Sequence, residues 1–154
     1  YSGAQIALFN AGGFRASIPA GEVRLKEIYQ AFPFRNELVT GILSGAELQA
    51  ALDHSAGLDP ADHPGGFLQV SGVRLRIQGG KALEVTLNGQ PLDPAADYSL
   101  VVPDFLAAGG DGYGMLAGLR HPVNSGQLIS DLLVAAFRRQ GELDATLDGR
   151  IERH

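Results

Sequence analysis

The chain predicts an α+β domain with a mixed, largely antiparallel sheet and packed helices. Three features carry that reading. Residues 73–87 alternate apolar and polar side chains on both sides of Gly79-Gly80, the pattern of a hairpin with one buried face. Ser44 and Glu47 stand three apart just ahead of Leu48, Ala51, Leu52 and Ser55, which predicts a capped helix with one apolar face. Ile129, Leu132, Leu133, Ala136 and Phe137 recur at helical spacing and mark a second long helix that packs across the sheet.

The remaining elements follow in order. Residues 5–9 (QIALF) read as a short buried strand, and the turn Asn10-Ala11-Gly12-Gly13-Phe14-Arg15 comes after it. Residues 26–31 read as a short helix. Phe32-Pro33-Phe34-Arg35-Asn36 then places two aromatic rings around a proline that biases Phe32 toward extended backbone, ahead of a strand over 37–43. Gly57 ends the capped helix. Residues 58–66 (LDPADHPGG) form a proline- and glycine-rich surface loop, where Asp62-His63 lacks the further ligands a metal site needs. Residues 67–78 read as one strand, and Asn88-Gly89 turns the chain after the hairpin. Tyr98, Leu100 and Val102 belong to a largely buried strand that Pro103 stops, because proline has no N–H to donate. His121-Pro122 reads as a loop, Asn124 or Ser125 as the cap of the last long helix, Gly141 as its end, and 149–153 as a final short strand.

Composition narrows the function classes. At 154 residues, 45% hydrophobic and 19% charged, the chain fits one folded domain with a genuine core. A net charge of −5 and a pI near 5.2 argue against a nucleic-acid-binding surface and leave room only for local arginines that grip one small anion. Zero cysteines exclude disulfides, thiolate metal ligands and cysteine nucleophiles. No apolar run is long enough to span a bilayer. The chain opens on Tyr1 rather than methionine and enters the apolar run 6–9 almost at once, so a fragment of a longer protein is expected.

Chemistry concentrates where strands break into glycines. In Asp104 to Tyr113 (DFLAAGGDGY) a strand end runs into Gly109-Gly110-Asp111-Gly112 with an aromatic residue on either side. This is either a tight loop in which Asp111 hydrogen-bonds its own backbone, or a ligand site built from Phe105 and Asp111. The Asn10 to Arg15 turn is open in the same way. Its backbone N–H groups suit an anion and Arg15 offers a planar charged fork, while the plain alternative is a loop capped by Asn10 with Arg15 in solvent.

NAGGFR, LKEIYQAFPFRNELV, SGAELQAALDHS, GGFLQVSGVRLR and VTLNGQPLDPAADYSLVVPDFLAAGGDGY occur in that order, and the chain so resembles the C-terminal domain of the 5'-nucleotidase family over essentially 1–154. The resemblance implies a substrate-binding domain of a secreted, periplasmic or extracellular enzyme that hydrolyses nucleoside 5'-phosphates. A separate N-terminal metallophosphoesterase domain, absent from this chain, would hold two divalent metals such as Zn or Mn, with no cofactor in this domain. By the same resemblance Phe34 and Phe105 would sandwich the base, Asp111 would accept hydrogen bonds from the ribose, Arg15 and Asn10 would lie on the phosphate side, and Asn36 and the Gly65 backbone would lie near the base edge. A UDP-sugar hydrolase, a 2',3'-cyclic nucleotide phosphodiesterase and a non-catalytic interaction domain are the alternatives.

Departures from the family pattern carry expectations of their own. Arg35 replaces a glycine beside the aromatic pair, so the local path differs if that glycine needed unusual backbone geometry. Phe14 stands where an aliphatic residue is commoner, which reads as a packing change. The family's helix before the first strand is missing, and its loss should leave an apolar edge beside Ile6 and Leu8 exposed or covered by a neighbour.

Overall fold

A computed structural model describes residues 2–59, 61–62 and 65–154. It contains two mixed, mostly antiparallel sheets rather than one. The larger has the strand order β3-β1-β7-β2-β8, in which β1 (Ile6–Asn10) lies antiparallel to β3 (Leu68–Ser71) and parallel to β7 (Asp97–Pro103). On the far side of β7, β2 (Glu37–Ser44) and β8 (Arg120–Leu128) are antiparallel neighbours. The smaller has the order β6-β5-β4-β9, from β4 (Val73–Gln78), β5 (Lys81–Leu87), β6 (Gln90–Pro91) and β9 (Ile151–Arg153).

Residues 67–78, which the sequence predicts as one strand, form two strands in different sheets. Gly72 is the break. With φ +85 it turns the chain from β3 into β4 against the start of β1, where a Cβ would sit 2.1 Å from the Gln5 carbonyl oxygen. Burial alternates within each strand but slips by one residue at the corner, with Leu68 and Val70 buried in β3 and then Val73, Leu75 and Ile77 in β4. Both hairpin turns form where the sequence places them, with positive φ at Gly79 and Gly80 and at Asn88 and Gly89, the geometry that matches the twist of the flanking strands.

Helix α2 (Gly45–Gly57) packs against β5 of the small sheet and β2 of the large one and buries Leu48, Ala51, Leu52, Ser55 and Ala56. Its predicted cap is present: the Glu47 N–H donates to Ser44 Oγ at 3.3 Å and the Ser44 N–H donates to Glu47 Oε2 at 2.8 Å. The backbone hydrogen bond from Ser44, helped by its hydroxyl, lowers the Glu47 pKa from the ordinary 4.5. A lowered folded-state pKa stabilises above the unfolded value and is lost as pH falls through the folded one. Ser44→Ala is therefore expected to cost about 1 kcal/mol at neutral pH. In urea unfolding, the gap between wild type and Glu47→Ala should be widest at neutral pH and close on the acid side of 4.5; a gap that persists unchanged there would refute the cap assignment.

The short helix α1 spans Leu25–Ala31, and its Ile28 and Ala31 are buried. A further helical segment, α3 (Asp104–Ala107), is a single turn immediately after Pro103. The last helix, α4 (Ile129–Gln140), starts later than Asn124 or Ser125, and residues 120–128, where the sequence predicts a loop at His121-Pro122, a cap at Asn124 or Ser125 and the start of the helix, are the edge strand β8. Pro122 is tolerated there because the strand lies at an edge and pairs only with β2. Among the described residues no side chain caps α4. Instead, the Asn36 carbonyl accepts the Ile129 N–H at 3.0 Å.

β1 is interior to its sheet, so Ile6 and Leu8 are each 1% exposed and no bare apolar edge forms beside them. Phe14 joins Phe9 and Phe32 in an aromatic cluster with centroids 4.7 Å and 5.0 Å from its own, the packing role its position suggests. Arg35 is not among the residues with positive φ, so it needs no glycine-like backbone. The strand-to-glycine turns after β1 and β7 come together near the C-terminal half of α2.

Candidate functional site

The site is assembled from four segments: the turn after β1, the loop 32–36, the segment 65–67, and the turn 104–113. Hydrogen bonds between them fix their spacing. The Ala11 and Gly12 N–H groups donate to the carbonyls of Phe67 and Gly65, both at 2.8 Å. Gly12 approaches so closely that a Cβ on it would lie 3.0 Å from the Gly65 Cα. These two amides are thus committed to the protein, which removes them from the anion cradle the sequence suggested. Arg15 is exposed and makes no side-chain hydrogen bond or ion pair among the described residues, so its guanidinium is the cationic group this turn offers to solvent.

Asn10 is 8% exposed and donates from Nδ2 to Asp111 Oδ2 at 3.0 Å. Its amide orients a carboxylate instead of capping its own turn. Asp111 itself has φ 54, a left-handed conformation that costs roughly 1–2 kcal/mol in a non-glycine residue and persists only where the surroundings over-determine it. The surroundings do so. The His54 Nε2 lies 3.0 Å from the Asp111 carbonyl oxygen, and the fully buried Tyr113 donates from its hydroxyl to the Gly66 carbonyl at 2.7 Å. Burial pushes the Tyr113 phenol up to about 12, so it stays a protonated donor across the physiological range.

The two phenylalanines singled out by the sequence lie on the surface. Phe34 is 49% exposed and Phe105 is 42% exposed, although Leu106 beside the latter is fully buried. The Phe105 ring leans over Gly110, where a Cβ would be 2.5 Å from the ring, so that glycine makes room for the aromatic face. The loops carrying the two rings are tied together. Asn36 donates from Nδ2 to Asp104 Oδ1 at 2.7 Å, and the same oxygen accepts the Phe105 N–H at 2.8 Å.

Chemically, the residues singled out by the sequence offer two exposed aromatic faces, Phe34 and Phe105, one oriented carboxylate, Asp111, and one exposed guanidinium, Arg15, while Phe14 and Arg35 on the same segments are exposed as well. Among the described residues no group of three His, Cys, Asp or Glu side chains is placed to hold a metal ion. His63 of the rejected Asp62-His63 pair lies outside the described residues. Sequence reading missed His54, Asp104, Gly66 and the anchoring role of Tyr113. Only the Asp104 and Tyr113 positions, at the two ends of the glycine-rich stretch, carried a local signal.

The fold is that of a nucleotidase C-terminal domain. The family model described as "5'-nucleotidase, C-terminal domain" matches residues 1–118, and the chain belongs to that family. It is 32% identical to Protein UshA of Escherichia coli over 146 residues, covering 95% of this chain and 26% of that protein. It is 34% identical to a 5'-nucleotidase of Vibrio vulnificus, covering 92% of this chain and 25% of that one. The crystal structure of a 5'-nucleotidase precursor from Thermus thermophilus superposes with a TM-score of 0.91 at 36% identity, over 99% of this chain and 32% of its own. The NAD nucleotidase of Haemophilus influenzae shares the fold at a TM-score of 0.83 and 22% identity, over 96% of this chain and 29% of its own. The chain thus spans about a quarter of the curated relatives it matches.

Proposed function

We propose that this domain binds the substrate of a secreted 5'-nucleotidase that releases phosphate from nucleoside 5'-phosphates. The base stacks on Phe34 and Phe105, and the Asp111 carboxylate accepts hydrogen bonds from the ribose. Arg15 pairs with the phosphate. Asn10 orients Asp111 beside it, and Asn36 and the Gly65 backbone lie toward the base edge. The observation that carries this reading is the joining of two half-exposed phenylalanines through the Asn36–Asp104 hydrogen bond, 2.7 Å long, next to a carboxylate held in a left-handed turn. Large aromatic faces left in water have little to recommend them for stability, whereas a base offers each of them a π face.

The reaction itself belongs to another part of the protein. Two divalent metals in an N-terminal metallophosphoesterase domain would supply the activated water and charge stabilisation, and this domain's residues bind and orient the nucleotide for them. Export to the periplasm or the cell exterior follows from the family resemblance. No helix among the described residues is long and apolar enough to cross a membrane.

Calorimetric titration with adenosine and AMP tests the reading. Saturable binding of both, tighter for AMP and with that advantage reduced in Arg15→Ala, is expected; no heat from either ligand in the full-length protein would leave an interaction domain as the better account. The purified chain with excess Mn or Zn is expected to show no AMP phosphatase activity above background. Metal-dependent turnover that survives repurification would overturn the division of labour.

A further inference from the structure

His54 is not an obvious site residue. It lies on α2, and the family resemblance gives it no role. In the structure its Nε2 is 3.0 Å from the backbone carbonyl of Asp111, its ring meets Tyr113 edge-on with centroids 4.6 Å apart, and its Cε1 lies against Gly112. A carbonyl oxygen only accepts, so Nε2 carries the proton and donates. The ring therefore touches all three residues 111, 112 and 113.

We infer that His54 is a positioning residue for ribose recognition: its Nε2–H holds the Asp111 backbone in the left-handed conformation that aims the carboxylate at the sugar. This rests on the assignment of Asp111 to the ribose. Asp111 has two tethers of opposite kind. Asn10 grips the side chain through Oδ2, and His54 grips the backbone through the carbonyl. Side-chain orientation alone does not place the carboxylate, because a backbone that relaxes from φ 54 to negative φ swings the whole residue away. Gly112, itself at φ +83, leaves room for the ring at a position where a Cβ would be 3.0 Å from His54 Cε1. The turn is shaped to receive the imidazole.

The consequence is selective. Loosening the Asp111 backbone should weaken ligands that carry ribose hydroxyls and leave base stacking intact. Affinities for adenosine and 2',3'-dideoxyadenosine would be measured by calorimetry on the full-length protein, for wild type, His54→Phe, His54→Gln and Asp111→Asn. His54→Phe keeps an aromatic edge on Tyr113 and removes the donor. It is expected to weaken adenosine roughly five- to tenfold, the scale of one hydrogen bond, with dideoxyadenosine changed less than about twofold. His54→Gln, which restores an N–H donor, should recover most of the discrimination.

If Asp111→Asn collapses the preference for adenosine and His54→Phe leaves it intact, the inference is overturned while the ribose assignment stands. If Asp111→Asn leaves the preference untouched, the ribose assignment fails and the inference with it. Equal weakening of both ligands by His54→Phe would show a purely structural role and also overturns it. Should His54→Phe not fold, the wild type decides by NMR: the His54 Nε2–H resonance is expected to move with adenosine and stay in place with dideoxyadenosine, and a resonance indifferent to the sugar overturns the inference.

Discussion

Phe105→Ala is expected to weaken adenosine binding by about 5- to 150-fold, the equivalent of roughly 1–3 kcal/mol for one base–aromatic stack. The ring is 42% exposed and sits on the one-turn helix that follows Pro103, with its neighbour Leu106 fully buried and holding that turn in the core. Truncating the ring should therefore leave the fold alone, and the unfolding free energy is expected to stay within about 0.5 kcal/mol of wild type. Phe34→Ala should act alike, since that ring is 49% exposed and its loop is bound to the Phe105 turn through Asn36 and Asp104. The double variant should lose less than the sum of the two singles, because a base that has lost one face is already free to leave the other. Isothermal titration with adenosine reads all three. Unchanged affinity in both single variants would end the stacking assignment. Asn36→Ala offers a finer check: it leaves both rings in place but cuts the tie between their loops, so a moderate loss is expected.

Gly72→Ala is expected to destabilise the domain by on the order of 3 kcal/mol, combining about 1–2 for a left-handed residue with about 1–3 for forcing backbone apart. At φ +85 the added methyl would meet the Gln5 carbonyl oxygen at 2.1 Å and the Ile6 Cα at 3.3 Å. Neither is the end of a flexible side chain. Both belong to the entry into β1, which is paired on its two sides with β3 and β7 and cannot shift without disturbing the large sheet. For a domain of this size the loss corresponds to a Tm lower by roughly 6–12 °C. Urea unfolding with an unchanged m-value would measure it directly, and a loss below about 1 kcal/mol would show that the corner between the sheets bends elsewhere. Gly79→Ala is the control, because nothing lies within 4 Å of a Cβ there and only the backbone conformation is strained.

How far the residues alone lead differs from element to element. The capped helix α2 was legible to the residue, since Ser44 and Glu47 act within one turn of chain and need no partner. Both hairpin turns were legible for the same reason. β8 was not. Its nine residues, Arg120–Leu128, are mostly exposed and include proline, asparagine, serine and glycine, and what makes them a strand is the row of hydrogen bonds along β2. The start of α4 was misplaced because its cap is a backbone carbonyl from Asn36, far back in the sequence, instead of a side chain nearby. Likewise the alternation of Val73, Leu75 and Ile77 gave the buried face of β4 correctly, but reading 67–78 as one strand missed the sheet change at Gly72, where the period-two pattern slips by one residue between Val70 and Val73.

The candidate site divides along the same line. Residue types and order supplied the aromatic residues, the acid and the arginine. They could not say that Phe32 turns into the cluster with Phe9 and Phe14 while Phe34, two residues on, stays in solvent. Nor could they pair Asn10 with Asp111 across 101 residues or set His54 against the same turn. By itself the sequence determined the local elements and the chemical groups, because capping, turn conformation and alternation are short-range properties of the chain. Tertiary structure alone decided the split into two sheets, which ring faces outward, and which polar groups are held by the protein and which remain for a ligand, because each depends on a partner that only the folded chain brings within reach.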